Sequence, residues 1–195
     1  GEVTGAITLD GTELTDKSPR EILDLGLGYV PEDREHDGLI SAFTVTENLI
    51  LDQFGNEPYS SKGVLRGAVI DKKADELIEE FDIRTQAAAA PVSSLSGGNK
   101  QKVVMAREMS RELRLLLAAQ PTRGVDVGSI EFLHKRIVAE RERGAAVLII
   151  SSELDEIYAL CDRIAVMYRG AIIGVVGPDT SRDQMGLLMA GVTNE

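Results

Sequence analysis

Residues 113–119 and 145–151 are apolar almost throughout, and between them residues 129–143 form a mixed, helix-like stretch that Gly144 ends. A strand with one wetted face alternates apolar and polar residues, so runs lacking that alternation suit strands covered on both sides. Parallel strands need a crossover of a dozen or more residues, usually a helix, and residues 129–143 supply one. The expected class is therefore α/β, a mostly parallel sheet between layers of helix.

The flanking segments extend that pattern. Residues 5–11 alternate and meet Asp10-Gly11, a strand entering a turn, and residues 25–31 form a second short strand stopped by Pro31. Between them, Ser18-Pro19-Arg20-Glu21 predicts a capped helical turn with proline at the first helical position. Helices are expected over 46–54, 71–81, 99–111, 153–161 and 181–190. The second of these has Ala74, Leu77, Ile78 and Phe81 on one face, and a polar, glycine-containing loop precedes it. Residues 163–168 and 171–176 should pair as a hairpin across Arg169-Gly170. One domain is the default for 195 residues.

Charge narrows the partners. A formal net charge of -11 gives a field that repels phosphate backbones and anionic head groups, so no nucleic-acid partner is expected. A local site built from backbone N–H groups can still hold a nucleotide. Cys161 is the only cysteine, which excludes an internal disulfide and fits a reducing compartment. The apolar runs 115–119 and 145–150 fall far short of the roughly 20 residues a membrane span needs, and no basic-then-apolar leader opens the chain.

Ser94-Leu95-Ser96-Gly97-Gly98-Asn99 sets hydroxyls and two glycines directly before a helix. Unpaired N–H groups and the positive end of the helix dipole converge there, making an anion site. Glycines let the backbone approach a phosphate, and the Ser96 hydroxyl can donate to one. By itself this reads more readily as an ordinary loop-to-helix cap.

Its surroundings change that. Leu95-Ser96-Gly97-Gly98-Asn99-Lys100-Gln101-Lys102, with residues 103–108 behind it, resembles the signature motif of ABC ATPases. Residues 115–126, ending Ala119-Gln120-Pro121-Thr122-Arg123-Gly124-Val125-Asp126, resemble the Walker B strand and D-loop of that family. Residues 148–156 fall where the family has its switch histidine, and residues 161–167 resemble the strand after it. Gly28-Tyr29-Val30-Pro31-Glu32-Asp33-Arg34 falls on the Q-loop. Its Glu-Asp-Arg variant is most similar to the C-terminal halves of tandem importer ATPases for simple sugars or nucleosides, and residues 119–124 are more similar to the nucleoside branch.

The resemblance spans nearly the whole chain in the family's order and implies much. It implies an ABC-type P-loop ATPase fold, with core portions at 1–42 and 91–195 and a helical subdomain at 43–90 leading to the signature at 95–101. ATP with Mg²⁺ is the implied cofactor pair. Because two ABC halves sandwich ATP in this family, Ser96, Gly97, Gly98 and Asn99 would serve a nucleotide held by another half or a second copy, with Asp126 as the D-loop aspartate. The helical subdomain would receive the permease subunits, placing the protein in the cytoplasm, peripheral on the inner face of the cell membrane. Recognition of the transported substrate would lie in other subunits.

The departures from the pattern are chemical. Walker B normally ends in Asp-Glu, and here those positions hold Ala119, which cannot support a metal, and Gln120, which cannot accept a proton from water. Ser152 stands at the switch histidine and Glu32 at the Q-loop glutamine, bringing negative charge toward the expected metal. No metal ligand set is expected from this chain itself. No Gly-x-x-x-x-Gly-Lys-Ser/Thr run occurs in these residues, so the chain looks like a fragment that starts downstream of Walker A. In this fold the Walker A strand lies between the strands expected at 145–151 and 163–168. Its loss should open a gap with two unpaired edges, inviting rearranged pairing, strand exchange or dimer contact.

Other titratable residues carry plainer readings. His134 and His36 suit charged, solvated surroundings, and Asp75, Glu76, Glu79 and Glu80 suit a wet helix face. Three functions stand: an importer ATPase half completing a composite site, a non-hydrolytic regulatory nucleotide-binding module, and a DNA-associated ABC ATPase, which the acidic charge disfavours.

Overall fold

Short local signals set the first elements in the computed structural model, which describes residues 4–192. The terminal residues 1–3 and 193–195, included in the expected core portions, lie outside the described residues. Strands β1 (Thr8–Leu9) and β2 (Thr12–Glu13) pair antiparallel around Asp10-Gly11. Helix α1 (Pro19–Asp24) begins as expected: the Ser18 hydroxyl accepts from Glu21 N–H, and the Glu21 carboxylate accepts from Ser18 N–H at 2.8 Å. Strand β3 (Leu27–Val30) follows. A π-helical turn over Arg34–Gly38 comes next, its start capped by the Asp33 carboxylate, which accepts from the N–H groups of Glu35 and His36.

Helix α2 (Val45–Leu49) is capped by a Thr44–Glu47 box and is shorter than the expected 46–54. The expected loop after it contains a small hairpin, β4 (Ser60–Ser61) with β5 (Val64–Leu65). Helix α3 (Gly67–Glu80) buries Ile70, Ala74 and Leu77, with Phe81 buried just beyond its end. Both α2 and α3 pack against α4 (Gly97–Glu108), in which every residue from Gln101 to Glu108 is buried.

After α4 come β6 (Leu115–Ala119), α5 (Val127–Glu142) and β7 (Ala146–Ile150). The sheet order is β3-β6-β7, all parallel, with Leu27 opposite Leu115 and Leu115 opposite Ala146. That is the expected parallel α/β arrangement, and Gly144, at φ +101, ends α5 where the sequence placed its stop. One expectation fails: β7 is not covered on both faces, since Leu148 and Ile150 are 53% and 52% exposed. An apolar run records that a strand tolerates cover on both sides, and only neighbouring elements provide it.

The chain divides after Ile150 into two compact units. In the second, α6 (Leu154–Leu160) precedes the antiparallel pair β8 (Ile164–Tyr168) and β9 (Ala171–Val176). Arg169 and Gly170 both take positive φ, at 48° and 84°, the geometry of a tight hairpin turn. Helix α7 (Arg182–Met189) is capped by Ser181 and packs on β8, burying Met185 and Leu188. The described strands fall into separate sheets, not one continuous order. Such an order would have counted against the expected interruption of the sheet. Among the described residues, no helix is long and apolar enough to cross a membrane.

Candidate functional site

Ser96 is exposed and is the N-cap of α4; its hydroxyl oxygen accepts from the Asn99 backbone N–H at 3.4 Å and from Asn99 Nδ2 at 2.9 Å. The helix therefore starts two residues earlier than the sequence suggested, with Gly97 and Gly98 inside its first turn. First-turn N–H groups have no intrahelical acceptor, so this end can receive an anion. Asn99 is also committed within the chain, since its Oδ1 accepts from Arg84 N–H at 2.8 Å.

The two glycines have a packing reason that the sequence did not reveal. A Cβ on Gly97 would lie 2.9 Å from Arg34 Nη2 and 3.2 Å from the Gly124 carbonyl oxygen. One on Gly98 would lie 2.6 Å from Asp126 Oδ2. A side chain at either position would make Arg34 or the Asp126 carboxylate move, so the glycines let both stay where they are, with the turn before α5 against the start of α4.

Asp126 caps α5: its carboxylate accepts from Ser129 N–H at 3.0 Å and from the Ser129 hydroxyl at 2.9 Å. Those bonds, the hydroxyl's first, hold its carboxyl below the usual carboxylate range. Ser96, Gly97, Gly98 and Asp126 are thus brought together by two helix starts meeting face to face.

Glu32 joins the same cluster. Its carboxylate accepts from Arg123, so its charge is matched within the chain. Arg34 Nη1 donates to the Arg123 carbonyl at 2.7 Å and Nη2 to the Gly124 carbonyl at 3.4 Å. Lys100, on α4, binds the Glu35 carboxylate at 2.7 Å. None of Arg34, Lys100 or Arg123 stood out as a site residue in the sequence. The charge run Glu32-Asp33-Arg34-Glu35 was visible, but its partners lie far along the chain.

Gln120 ends β6 in the left-handed region at φ 49°, and its N–H donates to the Ile150 carbonyl at 2.7 Å. Ala119 sits beside it, opposite Ile150 in the register. Ser152 lies in the second unit, two residues before α6. His36 is exposed on Asp37 at 2.7 Å, and that hydrogen bond raises its pKa. Among the described residues, no three His, Cys, Asp or Glu side chains gather in a way that could hold a metal ion. Alanine at 119 offers a magnesium ion no side-chain oxygen.

Residues 2–123 match the family model described as "ABC transporter". Guanosine import ATP-binding protein NupO of Bacillus subtilis is 47% identical over 193 residues, covering 98% of this chain and 38% of the relative. Nucleoside import ATP-binding protein NupA of Lactococcus lactis is 47% identical, covering 96% and 37%. A ribose import ATP-binding protein, RbsA of Oceanobacillus iheyensis, is 38% identical, covering 87% and 34%. The chain thus spans well under half the length of these relatives. Among solved structures, a dimeric ATP-binding cassette in a post-hydrolysis state with ADP and Pi superposes with a TM-score of 0.74 at 21% identity, covering 91% of this chain and 75% of that one. Motif order, the parallel sheet and the family match agree: the chain belongs to the ABC transporter family.

Proposed function

We propose that this chain acts as one ABC half in the ATP-binding subunit of an importer, supplying its signature helix start to a nucleotide held by another half. The observation that supports this is the exposed Ser96 cap and glycine turn of α4, packed against the Asp126 turn. Backbone N–H groups at a helix start favour phosphate, and the Ser96 hydroxyl can rotate to donate.

The chain's own site is degenerate in this reading. Gln120 can orient water but cannot remove its proton, and general base catalysis contributes about 10²–10⁴ in rate. Ser152 has no cationic form. Magnesium and ATP therefore belong to the complete assembly, and the residues here position and close the site.

Transport of nucleosides is favoured over that of ribose, because identity is 47% to the guanosine and nucleoside import proteins and 38% to the ribose import protein. Residues 43–90 would receive the permease subunits, with residues 1–42 and 91–195 as the core. The assembly would sit at the inner face of the cell membrane.

A non-hydrolytic regulatory role is the second reading, supported by Ala119 and Gln120 at the end of β6. One experiment separates the two. In the assembled importer, Ser96→Ala should abolish most ATP turnover while Gln120→Glu changes it little. Unchanged turnover in the serine variant would refute the composite site and favour the regulatory reading.

A further inference from the structure

Two separate glycines make room for one guanidinium. Gly97, in the first turn of α4, and Gly124, at φ +65 in the turn before α5, would each place a Cβ within 2.9 Å and 3.3 Å of Arg34 Nη2. Arg34 Nη1 donates to the Arg123 carbonyl at 2.7 Å, and Arg123 in turn donates to the Glu32 carboxylate, two residues before Arg34. The contact is reciprocal: each segment contributes an arginine to the other. Lys100 bound to Glu35 joins α4 to the same π-helical turn.

The parts of this clasp differ in strength. The Glu32–Arg123 pair has side chains 56% and 65% exposed, and exposed pairs contribute little. Arg34 is half-buried and donates to two main-chain carbonyls ninety residues along the chain, so it fixes backbone. A planar fork suits that task, whereas a lysine ammonium is a point donor on a flexible stem.

We infer that Arg34 is a positioning residue that fixes the 123–126 turn against the Ser96–Gly98 helix start, so that both are presented to the other half as one surface. This rests on the composite-site reading for its effect on activity. Its geometric part does not. Arg34 acts through the placement of Ser96 and Asp126, and small displacements of a positioned group reduce rates strongly.

The test compares Arg34→Ala and Arg34→Lys in the assembled importer by two readouts. Backbone hydrogen exchange over 97–100 and 123–130 should quicken in Arg34→Ala, while the hairpin at 164–176 keeps its rate. ATP turnover should fall about 10- to 100-fold in kcat, with KM for ATP held within about twofold, because first binding belongs to the other half. Arg34→Lys should recover only part of the loss, since it restores charge without the fork. Unchanged exchange overturns the inference whatever turnover does, and so does faster exchange with unchanged kcat where Ser96→Ala has lowered turnover. If Arg34→Ala fails to assemble, Arg34→Lys decides by the same two readouts. Ser96→Ala runs in parallel: if it leaves turnover intact, the composite site fails, and exchange alone decides whether Arg34 holds the turn.

Discussion

Strands β6 and β7 are neighbours of equal length, five residues each, paired in parallel from Leu115 opposite Ala146 to Ala119 opposite Ile150. Their sequences, LLLAA and AVLII, are equally apolar. Yet Leu116 and Ala118 are fully buried on one face, while on the other Leu117 and Ala119 are half-buried and Leu148 and Ile150 opposite them are more than half exposed. β6 has a strand on each side, and α5 packs against β7, where Val147 and Ile149 are half-buried. The other face of β7 stays open. Apolar composition is a property of the strand, and burial is a property of what stacks on it.

The widest separation between the two strands should appear in stability. Leu116→Ala removes most of a fully buried side chain and should cost about 3–5 kcal/mol, while Leu148→Ala should cost less than about 1. Urea unfolding of both variants measures the difference. Equal costs would mean that the open face of β7 is covered in solution.

Strand β8 carries the same contrast within one element and should show it at smaller scale. Ile164 is 8% exposed and Met167 is 64% exposed. Ile164→Ala should cost about 2 kcal/mol, at the low end for a core aliphatic, and Met167→Ala close to nothing. A larger loss at Met167 would show that the outer face of the hairpin has a partner.

How much of this was legible follows the range of each signal. Ser18-Pro19-x-Glu21, Gly144 and Arg169-Gly170 act over a few residues, and the structure has a cap, a stop and a turn where they stand. Helix α4 was visible, but its start was misplaced because glycine has low helix propensity, and the packing of Arg34 and Asp126 overrides that. The π-helical turn at Arg34–Gly38 and the β4–β5 hairpin left no periodic signal. The grouping of Ser96, Gly97, Gly98 and Asp126 came from family resemblance. The clasp by Arg34 could not be read at all, since its donors and acceptors are ninety residues apart.

The smallest effect concerns the helix that covers β7. Glu140, on α5, is 4% exposed and accepts from Arg143 Nη1 at 2.6 Å. Burial pushes its carboxyl above the usual range, Arg143 and Arg136 oppose that, and Glu80 adds to it. A raised carboxyl pKa means that the folded state binds the proton more readily than the unfolded chain. Stability from this group therefore falls as pH rises from the ordinary glutamate value through the raised one. Asp52, raised chiefly by burial, slopes the same way, and Asp126 and Asp82, held low by hydrogen bonds, slope oppositely. The wild-type pH profile mixes these groups, but its difference from Glu140→Gln isolates one. That variant should gain on wild type as pH rises through the window, read from urea midpoints between about pH 4 and 7. A difference that is flat or declines with pH would show Arg143 outweighing burial, and α5 would then cover β7 less tightly than its burial indicates.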